Sequence, residues 1–222
     1  MTNHVKAIII CLIFFTLLQP AFGQEHDLII DEQDFEQAVG YYNEAVELFA
    51  FGESEGALKL FTQAIQLNPN NSDYFFGRAS CYYDLGHYPK AANDIERAIE
   101  MEPDQSDYHY YAGNIYFHQE NYLRAIRNYT QSIEAEANPD IQLDLQNIYF
   151  NRGVSYLNEQ EYDKAEADFR SVLNEEPENI EATHNLAVSL LKQQKQNACE
   201  TFRKAKTLGS ENSQQYLNRY CK

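Results

Sequence analysis

The residues with reactive side chains are few and scattered. Cys81, Cys199 and Cys221 are the cysteines beyond the leading apolar segment, and His87, His109, His118 and His184 are widely spaced. Glu181 and His184 stand at i, i+3, a spacing that puts two metal ligands on one helix face. A metal site needs three or four ligands, and no third is in view, so an ordinary polar face is the expectation. Asp104-Gln105-Ser106-Asp107 lacks the alternating acids and the glycine of a calcium loop. It reads as a turn entering a helix, with Asp104 or Ser106 as the cap. Asn70-Asn71-Ser72 and Asn128-Tyr129-Thr130 match glycosylation sequons, which would matter only in a eukaryotic host; a bacterial envelope is the expected setting. A glycine-rich phosphate loop, a nucleophile elbow and a Cys-x-x-Cys pair are all missing from the sequence. The chain is expected to be no enzyme and to hold no cofactor and no metal.

Composition narrows the class further. The 222 residues include 17 Lys and Arg against 34 Asp and Glu, a formal charge of −17. Hydrophobic residues make up 44% and aromatics 14%, too apolar for a disordered acidic tail. Phosphate binding needs clustered Lys and Arg, so nucleic acid is not expected as a partner. Adsorption to anionic lipid is disfavoured for the same reason.

Residues 1–23 read as a signal peptide rather than as part of the fold. Lys6 is the only charge there, Ala7–Leu18 is an apolar run, and Ala21-Phe22-Gly23 offers small residues before Gln24. The run is short of the about 20 residues that a spanning helix needs, which argues against an uncleaved anchor and against direct membrane insertion after cleavage. The expected location is therefore periplasmic or secreted, an oxidising setting in which a disulfide persists.

A repeat of 34 residues organises the remainder. Ala57, Ala91 and Ala125 are 34 apart, as are Pro69 and Pro103, and Tyr88 and Tyr122. The steps from Tyr122 to Tyr162 and from Ala125 to Ala165 are both 40, which locates an insertion near 140–145. After a lead-in at 24–37, the units fall at 38–71, 72–105, 106–139, 146–179 and 180–209, and a capping helix follows at 210–222. Position eight of each unit is small (Ala45, Ala79, Gly113, Gly153, Ala187), and position twenty carries Ala57, Ala91, Ala125 and Ala165. Position twenty-four carries Phe61, Ile95, Tyr129 and Phe169, and the thirty-second holds Pro69, Pro103 and Pro177, with Ala137 in unit three. Small residues let two helices cross closely, the large residue fills the space beside them, and proline stops the second helix.

Two pairings follow from this frame. Arg78 and Asp94, and Arg152 and Asp168, sit at positions seven and twenty-three; unit three loses both together, as Ala112 and Asn128. Joint presence and absence predicts ion pairs across the helix hairpin, with the modest value of exposed pairs. If the last turn centres on Gly209-Ser210, the helices on either side run antiparallel and residue 199 faces about residue 220. That register predicts a Cys199–Cys221 disulfide that pins the cap, leaving Cys81 as a small buried residue. Leu217 and Tyr220 are the expected apolar contacts of the cap.

The pattern resembles the tetratricopeptide repeat (TPR) family over nearly all of residues 38–209. Position four holds Tyr41, Phe75, His109, Tyr149 and Thr183, never the family's tryptophan. The resemblance implies an all-α, right-handed TPR solenoid of about five helix-turn-helix repeats plus a C-terminal capping helix, whose first helices line a concave groove. Carried over to this chain, the groove positions give Tyr42, Phe76, Tyr110 and Phe150 at position five and Phe49, Tyr83 and Phe117 at position twelve. Asn114 comes at position nine, and Asp73 and Asp107 at position two. This is an aromatic ladder with an acidic edge and no Lys or Arg, unlike the basic clamp with which some TPR domains hold peptide carboxylates. The expected function is that of a non-catalytic scaffold binding a protein or peptide segment, with Lys- or Arg-bearing partners favoured. Aromatics at helical spacing also suit plain packing between units. A structural or self-oligomerising module, using the convex face or the 140–145 insertion, is the alternative.

Overall fold

Each unit's small, aromatic and proline positions dictate a pair of helices that must bury one face on a neighbour. A computed structural model describes residues 30–135 and 144–221 and contains such pairs. The expected signal peptide, residues 24–29 of the lead-in and the core of the insertion lie outside the described residues. The described residues form eleven helices and no strand. They are α1 (Glu32–Ala50), α2 (Ser54–Leu67), α3 (Ser72–Asp84), α4 (Tyr88–Met101), α5 (Ser106–His118) and α6 (Tyr122–Glu134). There follow α7 (Leu145–Asn158), α8 (Tyr162–Glu175), α9 (Ile180–Lys192), α10 (Ala198–Thr207) and α11 (Glu211–Tyr220). Residues 32–37 of the lead-in are therefore already helical. Gln33–Lys222 forms one compact unit.

Helices adjacent in sequence pack on one another from α2 through α11, and the first helices of neighbouring units touch as well: α3 with α5, α5 with α7, and α7 with α9. The first helices thus form a continuous layer, and the fold is an all-α solenoid. Each hairpin depends on the next for burial, which is why such arrays need several units and a cap.

The crossings are tight where the sequence is small. Ala45, Ala79 and Ala187 at position eight, and Ala57, Ala91, Ala125 and Ala165 at position twenty, are sealed from solvent, as are Phe61, Ile95, Tyr129 and Phe169. A methyl group at Gly113 would stand 2.5 Å from the Tyr129 ring, and one at Gly153 2.9 Å from the Phe169 ring. Only glycine permits these approaches.

Every hairpin turns through the same device. Gly52, Gly86, Glu120, Gln160 and Gln194 have φ of 80°, 74°, 57°, 63° and 58°. At each, the following N–H reaches back to a carbonyl of the first helix: Glu53 to Leu48, His87 to Tyr82, Asn121 to Tyr116, Glu161 to Tyr156 and Lys195 to Leu190. This is the left-handed helix stop that glycine makes without strain; three units make it with Glu or Gln.

The entry to α5 differs from the sequence expectation. Neither Asp104 nor Ser106 caps it: the flanking residue is Gln105, with no side-chain cap, and Ser106 is buried inside the helix start. Caps of the expected type occur elsewhere, with Asn71, Asn121, Asp144, Asn179 and Ser210 accepting from backbone N–H groups.

Candidate functional site: the first-helix face

The groove residues read from the sequence divide by burial. Tyr42, Phe49, Phe76, Tyr83, Tyr110, Phe117 and Phe150 are half-buried, and Asp73 is exposed. Asp107 and Asn114 are buried. Asn114 is engaged within the fold: its Oδ1 accepts from the Tyr129 hydroxyl at 2.8 Å and from Asn151 Nδ2 at 3.4 Å. A buried phenol needs such a partner, so Asn114 serves the packing of Tyr129.

The aromatic rings meet both within and across units. Tyr42 lies 5.9 Å from Phe61 and 5.2 Å from Tyr74, and Phe150 lies 5.9 Å from Phe169. Phe76 is edge-on to Tyr111 at 5.0 Å, Tyr111 is 5.6 Å from Tyr110 and 6.4 Å from Tyr83, and Tyr83 is 5.5 Å from His118. His118 stacks on Tyr88 at 5.0 Å with planes 6° apart. Tyr111, Tyr88 and His118 thus join the surface that α3 and α5 make together, and sequence positions two, five, nine and twelve omit them. The run Tyr108-His109-Tyr110-Tyr111 was the signal available for Tyr111. Burial, with Tyr88, Tyr110 and Tyr111 close by, pushes the Tyr83 hydroxyl up to about 12, so it is a neutral donor at physiological pH.

Further along the same face, two cavities of about 220 Å³ each adjoin. One is lined by Asp144, Asn147, Phe150, Asn151, Glu176 and Glu181, among others. The second is lined by Phe150, Ile180, Glu181, His184, Ser210 and Asn212, among others. Phe150 and Glu181 belong to both.

His184 is not on an open polar face as the sequence suggested. Its Nδ1 lies 2.8 Å from the buried Ser213 hydroxyl, and its ring lies 5.3 Å from Tyr216. Burial lowers its pKa, favouring neutral imidazole. Tyr216, stacked on Phe202 at 5.0 Å, seats the cap; Tyr220, one of the two residues expected to do so, is exposed.

The covalent and ionic contacts are well defined. Cys199 and Cys221 are bonded with Cα atoms 5.6 Å apart, and Cys81 is free and buried, its thiol pushed up to about 12 chiefly by burial. Arg78 grips Asp94 with two bonds of 2.7 and 2.8 Å, and Arg152 grips Asp168 with two of 2.8 and 2.7 Å. These carboxylates are buried, so the pairs are two-bonded and desolvated rather than the exposed pairs expected from sequence, and each is costly to cut.

Among the described residues no group of three or more His, Cys, Asp and Glu is arranged to hold a metal ion, and no helix is long and apolar enough to cross a membrane. The first-helix face carries aromatic rings packed at defined angles against one another.

Comparison with known proteins agrees with this architecture. Tetratricopeptide repeat signatures match residues 42–94, 82–140 and 146–179, and the chain belongs to the TPR family. The fold is in general a protein–protein interaction scaffold, and its members are typically non-catalytic. The TPR repeat-containing protein MJ1428 of Methanocaldococcus jannaschii is 28% identical over 161 residues, covering 71% of this chain; the chain spans 28% of that protein. The solved structure of YrrB, a TPR protein with an unusual peptide-binding site, superimposes with a TM-score of 0.73 at 22% identity, covering 85% of this chain and 95% of that one. MamA from Desulfovibrio magneticus superimposes with a TM-score of 0.67 at 19% identity over 81% and 97%. At these identities the likeness is one of fold.

Proposed function

We propose that the first-helix face binds a segment of another protein and performs no catalysis. One observation carries the reading. The residues at positions eight, twenty and twenty-four are sealed, whereas Tyr42, Phe76, Tyr110 and Phe150 are half-buried in successive units. Packing consumes the first set and leaves part of each ring in the second available. Rigid aromatics give contact area at little entropic cost and dominate interface energetics. The adjoining cavities at Phe150 and Glu181 would receive side chains of the bound segment. The acidic surroundings favour a partner carrying Lys or Arg, through encounter rate and specificity more than raw affinity. YrrB's described peptide-binding site is a parallel for this use of the fold.

We further propose that the protein is exported to a periplasmic or extracellular space. The signal-like residues 1–23 and the Cys199–Cys221 bond support this. Amino-terminal sequencing of the exported protein tests it, with a start at Gln24 expected and a start at Met1 or Thr2 contrary to it.

The groove is tested by Tyr83→Ala with Tyr110→Ala. Affinity for proteins captured from envelope extract should fall about tenfold or more while helicity is kept. Unchanged capture by the folded double variant overturns the groove. Phe51, 83% exposed, and Leu123, 66% exposed, favour self-association as the second reading. Light scattering on the purified protein separates the two, since a stable oligomer without partner supports the second.

A further inference from the structure

The outer face of α1 is uncovered where the later first helices are packed. Positions three and ten of units two and three, Tyr74 and Cys81, then Tyr108 and Ile115, are buried, as are their counterparts in units four and five. The preceding hairpin covers them: Tyr74 clusters with Ala38 and Ala64, and Cys81 with Ala57 and Phe61. Unit one has Gly40 and Glu47 at these two positions, and both are exposed. Together with Glu36 and Asn43, also exposed, they form one line along α1 at helical spacing. Phe51, 83% exposed, prolongs that line one turn beyond Glu47.

Gly40 serves nothing described in its own chain. Glycine inside a helix is unfavourable, and elsewhere in the array close approach explains it. An added methyl would stand 3.1 Å from Leu48 at Gly56, 2.4 Å from Phe61 at Gly77, 2.5 Å from Tyr129 at Gly113 and 2.9 Å from Phe169 at Gly153. At Gly40 it would meet nothing within 4 Å, in the middle of an ordinary helix. A mid-helix glycine in this fold thus marks the approach of another element, and none of the described residues makes that approach at Gly40.

Charge specifies what covers it. From residue 24 to residue 58 the chain has ten Asp and Glu and no Lys or Arg. From Lys192 to Lys222 it has seven Lys and Arg against Glu200 and Glu211. Arg219 is exposed on α11, away from Ser213 and Tyr216, which face the array. Arg203 and Lys206, both exposed, follow Cys199 by four and seven residues, on the side of α10 to which α11 is bonded. None of these three cations is in an ion pair among the described residues, and neither are Glu36 and Glu47. The acidic residues 24–31 and the α1 face of a second copy carry the wrong charge to cover α1; the cap of a second copy carries the right one. The net charge of −17 opposes association at long range, but at physiological salt charges are screened beyond about 8 Å, and pairs at the contact decide.

We infer that the protein assembles head to tail, the outer face of α1 in one copy docking on the cap of the next, α11 with the adjoining flank of α10. Gly40 admits the close crossing, and Glu36 and Glu47 face Arg203, Lys206 and Arg219. The inference rests on the self-association reading above and gives it two surfaces. Neither surface includes a groove residue, so the first-helix face of every copy stays open. Because the two surfaces differ, addition of copies continues past the dimer.

The test is sedimentation velocity of the purified exported protein at physiological salt and rising concentration, where species larger than a dimer are expected. Gly40→Gln blocks the α1 face, and Lys206→Glu with Arg219→Glu blocks the cap. Each should weaken association about tenfold or more. Gly40→Gln should also melt no lower than the unaltered protein, since the new side chain meets nothing and helix propensity improves. An equimolar mixture of the two variants retains one intact α1 face and one intact cap, and should form dimers and nothing larger. A mixture that stays monomeric, or a variant that associates as the unaltered protein does, overturns the head-to-tail contact. A lower melting temperature for Gly40→Gln would assign the glycine to its own fold and overturn it too. Should the cap variant unfold, as circular dichroism would show, Gly40→Gln decides alone. If the unaltered protein associates and both variants do so equally, self-association stands and these surfaces fall; if the unaltered protein stays monomeric, both fall.

Discussion

Units three and four tie the same two helices together by different chemistry. In unit four, Arg152 forks onto Asp168, reaches Thr130 at 3.1 Å and lies over Tyr149 and Tyr156. In unit three, Ala112 and Asn128 replace the ions, and His109 steps in from position four. Its Nδ1 lies 3.2 Å from Asn128 Oδ1 and its Nε2 2.7 Å from Pro103 O, while Asn128 Nδ2 donates to Arg124 O at 2.9 Å. One solution is charged and desolvated, the other a network of amide, imidazole and backbone. The crossing therefore accepts a polar tie of either kind and does not require an ion pair; unit one has Glu44 and Leu60 at these two positions. The charged tie is the more brittle, because cutting it strands a buried charge.

That contrast can be broken by measurement. Asp168→Ala should cost about 3–5 kcal/mol by chemical denaturation, since it removes the carboxylate that pairs with the largely buried Arg152 guanidinium. Asn128→Ala should cost less, roughly 1–3 kcal/mol, because it strands no guanidinium or carboxylate. Equal costs would erase the distinction. The tighter crossing of unit three offers a second comparison. Gly113→Ala forces a methyl into the fixed ring of Tyr129 and should cost about 1–3 kcal/mol; Gly153→Ala, with more room, should cost less. A third variation is neutral and sits at the cap. His184 is held neutral by burial, below the free-histidine value of 6.5. With the folded pKa depressed, the unfolded chain takes up the proton first as pH falls. Stability from this group is then complete above about pH 6.5 and lost as pH falls through the folded value. Melting temperature should drop between pH 7.5 and 5.5, and His184→Gln should flatten that drop. The smallest effect concerns the turns. Gln160→Gly relieves a left-handed residue with a side chain and should gain a few tenths to about 1 kcal/mol, whereas glycine already occupies that place in units one and two.

The sequence revealed the array because its period repeats residue by residue: Ala57, Ala91 and Ala125 are small for one steric reason each time. The ties at Arg78–Asp94 and Arg152–Asp168 were readable because both partners vanish together in unit three. His109 was not readable as their replacement, since a substitution from another helix position breaks the register that made the pairs visible. Tyr216 was missed in favour of Tyr220 because helical spacing alone does not say how the cap is rotated on Phe202 and His184. Ser106 and Asp107 look like a helix entrance in sequence, and only the structure separates a buried side chain from a solvated cap. Burial depends on the preceding unit, which local spacing cannot report.

The bond between Cys199 and Cys221 gives the molecule a locked door at one end. A stack of hairpins opens most easily by peeling a terminal element away, and here the last element is tethered across α10. Detaching it leaves it on a short leash of 22 residues, ready to rebind. Under tension or heat, loss of order should therefore advance from the opposite end, and adding a thiol reductant should reverse the order in which the hairpins let go.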